Sequence, residues 1–69
     1  MNTKFQQRLK ELRTSRGLSQ KQLGEIIGAT YSAVSFWETG KNEPKASNVI
    51  KLAQYFEVTS DYLLGITDY

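Results

Sequence analysis

Few side chains in this sequence are equipped for covalent chemistry. There is no histidine and no cysteine among the 69 residues. The usual general base at neutral pH, the thiolate nucleophile and the commonest transition-metal ligands are therefore missing. No two carboxylates have a spacing that suggests a catalytic pair, and no phosphate-binding glycine loop is present. An enzyme is poorly supported, and no metal or cofactor is expected. What the sequence offers is charge. All nine lysines and arginines lie within residues 1–51, against Glu11, Glu25, Glu38 and Glu43, leaving an excess of five positive charges. Residues 52–69 carry Glu57, Asp61 and Asp68 and no base. The basic part is where a polyanion would bind, although most surface lysines only solvate a helix face.

The elements that must position this charge centre on Gln20 to Glu38. Leu23, Ile26 and Ile27, then Val34 and Trp37, follow a helical period. Gly28-Ala29-Thr30 separates them. Gly28 can adopt a positive φ, and Thr30 can cap a second helix start. Gly24 offers a position without a Cβ where two steeply crossed helices can approach. The pattern predicts a helix-turn-helix, with an ordinary hairpin of helices as the alternative reading.

On either side the chain also reads as helix. Thr3 and Gln6 suit a capping box, and Phe5, Leu9 and Leu12 form one apolar stripe over a first helix from about residue 4 to Ser15 or Arg16. Gly17 ends it, and Leu18 can fold back over its last turn. Ser19 and Gln22 suit a second capping box that opens the next helix at Gln20. A third helix runs from Tyr31 to about Glu38 or Thr39 and closes at Gly40. Lys41 to Pro44 is a polar loop. Ala46, Val49, Ile50, Ala53 and Phe56 mark a fourth helix that lacks a good cap at Lys45, with Ser47 able to cap a shorter version. Thr59 caps a short fifth helix that ends at Gly65, and Ile66 to Tyr69 reads as a tail. The expected core is Phe5, Leu9, Leu12, Leu23, Ile26, Val34, Trp37, Ile50, Leu52, Ala53, Leu63 and Leu64. One small all-α domain of five helices, residues 1–69, is predicted. A chain this short buries only about 60% of its unfolded surface, so its core must be well packed or helped by a partner. The basic start lacks the apolar stretch of a signal peptide, and no apolar run approaches the ~20 residues of a membrane span. A cytoplasmic location is expected.

The sequence also resembles a known family. Leu18-Ser19-Gln20, Leu23-Gly24, Gly28, Val34-Ser35, Trp37-Glu38 and Gly40-Lys41 look like the helix-turn-helix of the phage repressor and Cro family, the lambda-repressor-like or XRE type. Pro44, Ile50-Lys51-Leu52-Ala53, Phe56, Val58 and Asp61 to Gly65 are similar to that family's last two helices. The resemblance runs from about Phe5 to Gly65, with the helix-turn-helix at about 19–39. It departs at Gly24, where alanine is usual, and at Lys45, which lacks the customary polar cap.

The resemblance implies a double-stranded DNA partner, with a two-fold operator and a homodimer at least when bound, and a place on the nucleoid. The third helix would enter the major groove, with Tyr31, Ser32, Ser35 and Phe36 facing the bases. These four lie opposite Val34 and Trp37, and two aromatics on such a face are unusual for a solvated surface. The alternatives are that Tyr31 or Phe36 packs on a neighbouring helix, or that Phe36 meets a dimer partner. Serines bond to several bases and specify weakly, and Phe36 can only meet a thymine methyl or exclude water. Gln20, Lys41, Asn42 and Lys45 would contact phosphates. Arg13 and Glu38 would form a structural ion pair, against the reading of two unrelated surface charges. The implied function is a sequence-specific transcriptional regulator, a repressor of phage or bacterial origin, and the pattern also fits the N-terminal domain of a longer repressor. The competing class is a module of the same fold that binds protein, as in an antitoxin or coactivator-like domain.

Overall fold

The computed structural model describes residues 3–69. They form α1 (Thr3–Ser15), α2 (Gln20–Ile27), α3 (Tyr31–Thr39), α4 (Ala46–Phe56) and α5 (Ser60–Leu64), with no strand among the described residues. Helix α2 packs on α3, α1 lies against α3 and α5, and α4 meets α5 and α2.

Local side-chain chemistry sets most of the boundaries. Gly17 has φ 69°. Its N–H donates to the Thr14 carbonyl at 3.0 Å, and the Leu18 N–H reaches back to the Arg13 carbonyl at 3.1 Å. Those two bonds are the Schellman closure, and Leu18 drops onto the core as the motif requires. At α2 the Gln22 N–H donates to Ser19 Oγ at 3.0 Å and the Ser19 N–H to Gln22 Oε1 at 2.8 Å, a complete capping box. Thr30 and Thr59 accept from the amides of Ala33 and Tyr62. Lys45 precedes α4 without any side-chain cap, and Glu57 follows it in the left-handed region at φ 58°, ψ 41°. The expected Thr3 cap is not found. Thr3 is already the first helical residue, so the residue preceding α1 lies outside those described.

The core is one cluster. Phe5, Leu9, Leu23, Val34, Leu52 and Leu63 are fully buried, with Ile27, Trp37, Val49, Ala53 and Phe56 completing it. Each buried Val, Leu, Ile or Phe side chain of the cluster contributes roughly 1.5–3 kcal/mol. Leu12 and Leu64 pack against the cluster half-buried. Two expected members are outside it: Ile26 is 46% and Ile50 53% exposed. In both helices the inward place is taken by the apolar neighbour, Ile27 or Val49. A one-residue shift turns a helix by about 100°, and docking on the other helices decides which of two adjacent apolar residues faces in.

Close approach of α2 to the turn depends on Gly24. A Cβ built there would lie 2.8 Å from the Ala29 carbonyl oxygen and 3.2 Å from the carbonyl of Thr30. The amides of Gly28 and Ala29 both donate to the Gly24 carbonyl, so the chain wraps tightly over that residue before α3 begins.

Candidate nucleic-acid interface

Glu38 stands in the last turn of α3. A carboxylate there opposes the helix macrodipole, so local helix stability does not explain it. Its side chain is only 4% exposed and meets Arg13, itself 11% exposed. Arg13 Nε donates to Glu38 Oε2 at 2.6 Å and Nη2 to Oε1 at 3.0 Å, a two-pronged fork. Arg13 Nη1 donates to the Leu18 carbonyl at 2.7 Å, and Gln20 Nε2 adds a bond to Glu38 Oε1 at 3.1 Å. One carboxylate thus joins the end of α1, the start of α2 and the end of α3. The sequence expectation of a partly buried Arg13–Glu38 pair agrees with this geometry. Hydrogen bonding to Glu38 raises the Arg13 pKa above the ordinary guanidinium value, burial opposes the rise, and the attraction of the carboxylate adds to it. A raised pKa means a contribution that is present below the ordinary value and fades only above it. Arg13 therefore stays charged across the whole neutral and acid range.

With its far end held this way, α3 turns its other face outward. Tyr31 is 58% exposed, Ser32 is exposed, and Ser35 and Phe36 are half-buried. Val34 and Trp37 fill the inward side. After α3, Gly40 adopts φ 81° and its amide donates to the Phe36 carbonyl. The amides of Lys41 and Asn42 reach the same oxygen at 2.9 and 3.3 Å. This folded-back turn sets Lys41 Nζ 4.7 Å from the centroid of the Phe36 ring. The residues expected to read bases and to hold phosphate are therefore adjacent at this point. Asn42 and Lys45 are exposed along the loop.

Gln20 opens α2, as expected from the Ser19 cap. Its side-chain amide is engaged with Glu38. What α2 presents at its end are the first backbone amides, of Gln20 and Lys21, which precede the one that Ser19 caps.

Two further arginines carry structure that the sequence reading did not assign. Arg8 Nη1 donates to the carbonyls of Tyr62 and of Thr67, the latter at 2.6 Å. Its guanidinium lies 4.2 Å from the Tyr62 ring centroid, and Asp68 accepts from it at 3.4 Å. Arg16 faces the rings of Tyr55 and Phe56, and its Nη2 approaches the Phe56 carbonyl at the end of α4 at 3.4 Å. The available signal was the position of Arg8, three residues after Phe5 and four before Leu12, beside the apolar stripe. Among the described residues no group of three or more carboxylates is placed to hold a metal ion, and no helix is long and apolar enough to cross a membrane.

Five short helices, a tight turn over Gly24 and a braced α3 with an open polar–aromatic face define a helix-turn-helix domain of the phage-repressor type. The model of the helix-turn-helix family HTH_3 matches residues 9–63, and the chain belongs to that family. It is 38% identical over 61 residues to the HTH-type transcriptional activator BcrR of Enterococcus faecalis, covering 88% of this chain and 30% of BcrR. It is 32% identical over 65 residues to Repressor protein C2 of Salmonella phage P22, covering 93% of this chain and 30% of that repressor. The crystal structure of the P22 c2 repressor with a synthetic operator superposes with a TM-score of 0.83 at 27% identity, over 90% of this chain and 94% of that one. The chain thus spans under a third of the length of these two curated relatives.

Proposed function

We propose that the chain is a sequence-specific DNA-binding transcriptional regulator that acts as a repressor. The observation that carries this reading is the outward face of α3. Its first turn, with Tyr31 and Ser32, is open, while Glu38 ties its last turn to α1 and α2. A recognition helix needs that arrangement, because its N-terminal residues must reach base edges while its frame stays fixed. Tyr31, Ser32, Ser35 and Phe36 face the bases, and Lys41, Asn42, Lys45 and the first amides of α2 hold phosphates. The kinship with a repressor solved on its operator supports the same reading. Relatives include an activator and a repressor; repression requires only that the site be occupied.

The protein works on DNA as a two-fold dimer and resides in the cytoplasm, on the nucleoid. One recognition helix reads only a few base pairs, and two half-sites about 34 Å apart supply the rest. Ile66 and Tyr69 are exposed beyond α5. Tyr69 lines a groove of about 330 Å³ with Leu12, Val58 and Tyr62, an apolar surface suited to a second copy.

The test is a titration of random and in vitro selected duplexes between about 50 and 200 mM salt, with footprinting on the selected site. Binding should favour the selected duplex and weaken steeply with salt, and protection should cover two related half-sites. Absence of salt-dependent binding to any duplex refutes the function. Protection of one short site by a single copy refutes the dimer.

A further inference from the structure

Helices α1 and α3 both end at a left-handed glycine whose following amide reaches back five residues, but different chemistry packs over the two ends. In a Schellman turn the second residue beyond the helix folds over the residue five positions before it, and an apolar contact usually joins that region. At the end of α1, Leu18 packs on the core. At the end of α3 the equivalent place belongs to Lys41, whose amide donates to the Phe36 carbonyl at 2.9 Å. Its ammonium lies 4.7 Å from the Phe36 ring centroid, well inside the ~6 Å reach of a cation–π contact.

We infer that Phe36 is a positioning residue for the Lys41 charge, and so serves phosphate affinity as well as base recognition. This rests on the DNA-binding reading above and deepens it. Two restraints act on Lys41. Its backbone is fixed by Gly40 in the left-handed region and by the bond to Phe36. Its long side chain has large rotamer freedom in water, and the ring limits that freedom before DNA arrives. Less ordering is then left to do on binding. Ser32 and Phe36 are four residues apart and share a helical face, so the held ammonium borders the surface that would meet the base edges. A lysine on an unrestrained loop would act on every sequence independently of the reading residues. This lysine does not, because its placement depends on one of them.

The test is a double-mutant cycle on the whole chain, with Phe36→Leu, Lys41→Met and both together. Leucine keeps apolar bulk and removes the π face. Phe36→Leu should weaken binding to a random duplex about two- to five-fold, the worth of an exposed cation–π contact. In the Lys41→Met background the same change should have no effect on random DNA, and Phe36→Tyr should restore binding where Lys41 is intact. Without DNA, the Lys41 ε-methylene protons should show an upfield ring-current shift that Phe36→Leu abolishes and Phe36→Tyr keeps. Equal losses in both backgrounds, no loss on random DNA, or no ring-current shift in the wild type each overturn the inference. Wild-type binding with an additive cycle refutes this inference alone, whereas a wild type that binds no duplex refutes the DNA-binding reading and this role with it.

Discussion

The arginines of α1 and its end and the lysines of the loop after α3 make two contrasting basic regions. Along α1 and its end, Arg8, Arg13 and Arg16 each turn a guanidinium onto another part of the chain: the tail and α5, the α2–α3 unit, and the end of α4. All six lysines are exposed, and Lys41 and Lys45 flank the loop that follows α3. The planar guanidinium fork suits fixed bonds to carbonyls and carboxylates, whereas the ammonium is a mobile point charge. The lesson is that net charge alone misjudges the polyanion surface. A third of the positive charge is spent bracing the fold, and the exposed remainder is lysine.

This contrast is most exposed at Arg13. Arg13→Ala should cost about 3 kcal/mol, because it takes the charged partner from the nearly buried Glu38 carboxylate and leaves it the neutral Gln20 amide. Lys10→Ala, on the same helix, should stay within about 0.5 kcal/mol. Urea denaturation of both variants decides the matter, and similar midpoints for the two would erase the distinction between bracing and surface cations. Arg8→Ala should rank next, at about 1.5–3 kcal/mol for the lost charge-assisted bonds to Tyr62 and Thr67. Its local signature is faster exchange of the Ile66 amide, which donates to the Asp61 carbonyl at 2.9 Å. Unchanged exchange there would mean that the tail holds itself.

What could be read from the sequence follows the range of the interaction. The capping box at Ser19 and the glycine stops at Gly17, Gly28, Gly40 and Gly65 act within a few residues, and the structure has all of them. The inward choice of Ile27 over Ile26 and of Val49 over Ile50 depends on how whole helices dock, and periodicity over about two turns cannot make it. Arg8 pairs with residues 54 to 60 positions away, so it looked like one more surface charge. The Arg13–Glu38 pair is equally distant in kind and was legible only through the family resemblance. The Phe36–Lys41 contact is local, yet it appears only once the turn at Gly40 folds the chain back.

Gly24 tests the joint between the braced and the presented regions. Gly24→Ala should gain about 1 kcal/mol in helix propensity and lose about 1–3 kcal/mol to overpacking against the Ala29 carbonyl. The net expectation is a loss of about 1 kcal/mol by thermal denaturation, with a larger loss on a selected duplex than on a random one because α3 shifts. A stabilised variant with unchanged discrimination would mean that the turn yields freely.

The smallest effect separates stability from binding within one residue. Lys45 sits at the N-cap of α4 with φ −68° and ψ 155°, the extended geometry of a cap, and makes no capping bond. A lysine there is doubly unfavourable locally. It leaves amides of the first turn uncapped, and it sets a positive charge at the positive end of the helix dipole. Serine requires no backbone change and supplies an acceptor for the Ser47 or Asn48 amide. Lys45→Ser should therefore raise stability by about 0.5–1 kcal/mol. If Lys45 neutralises a phosphate, the same change should lower affinity for random and selected duplexes alike and reduce the salt slope by about 1. Opposite signs for stability and affinity would show that the uncapped lysine is retained for binding, a local rule broken at a functional site. Higher stability with an unchanged salt slope would instead place Lys45 outside the DNA interface, and leave Lys41, held on Phe36, as the lysine of this loop that meets the backbone.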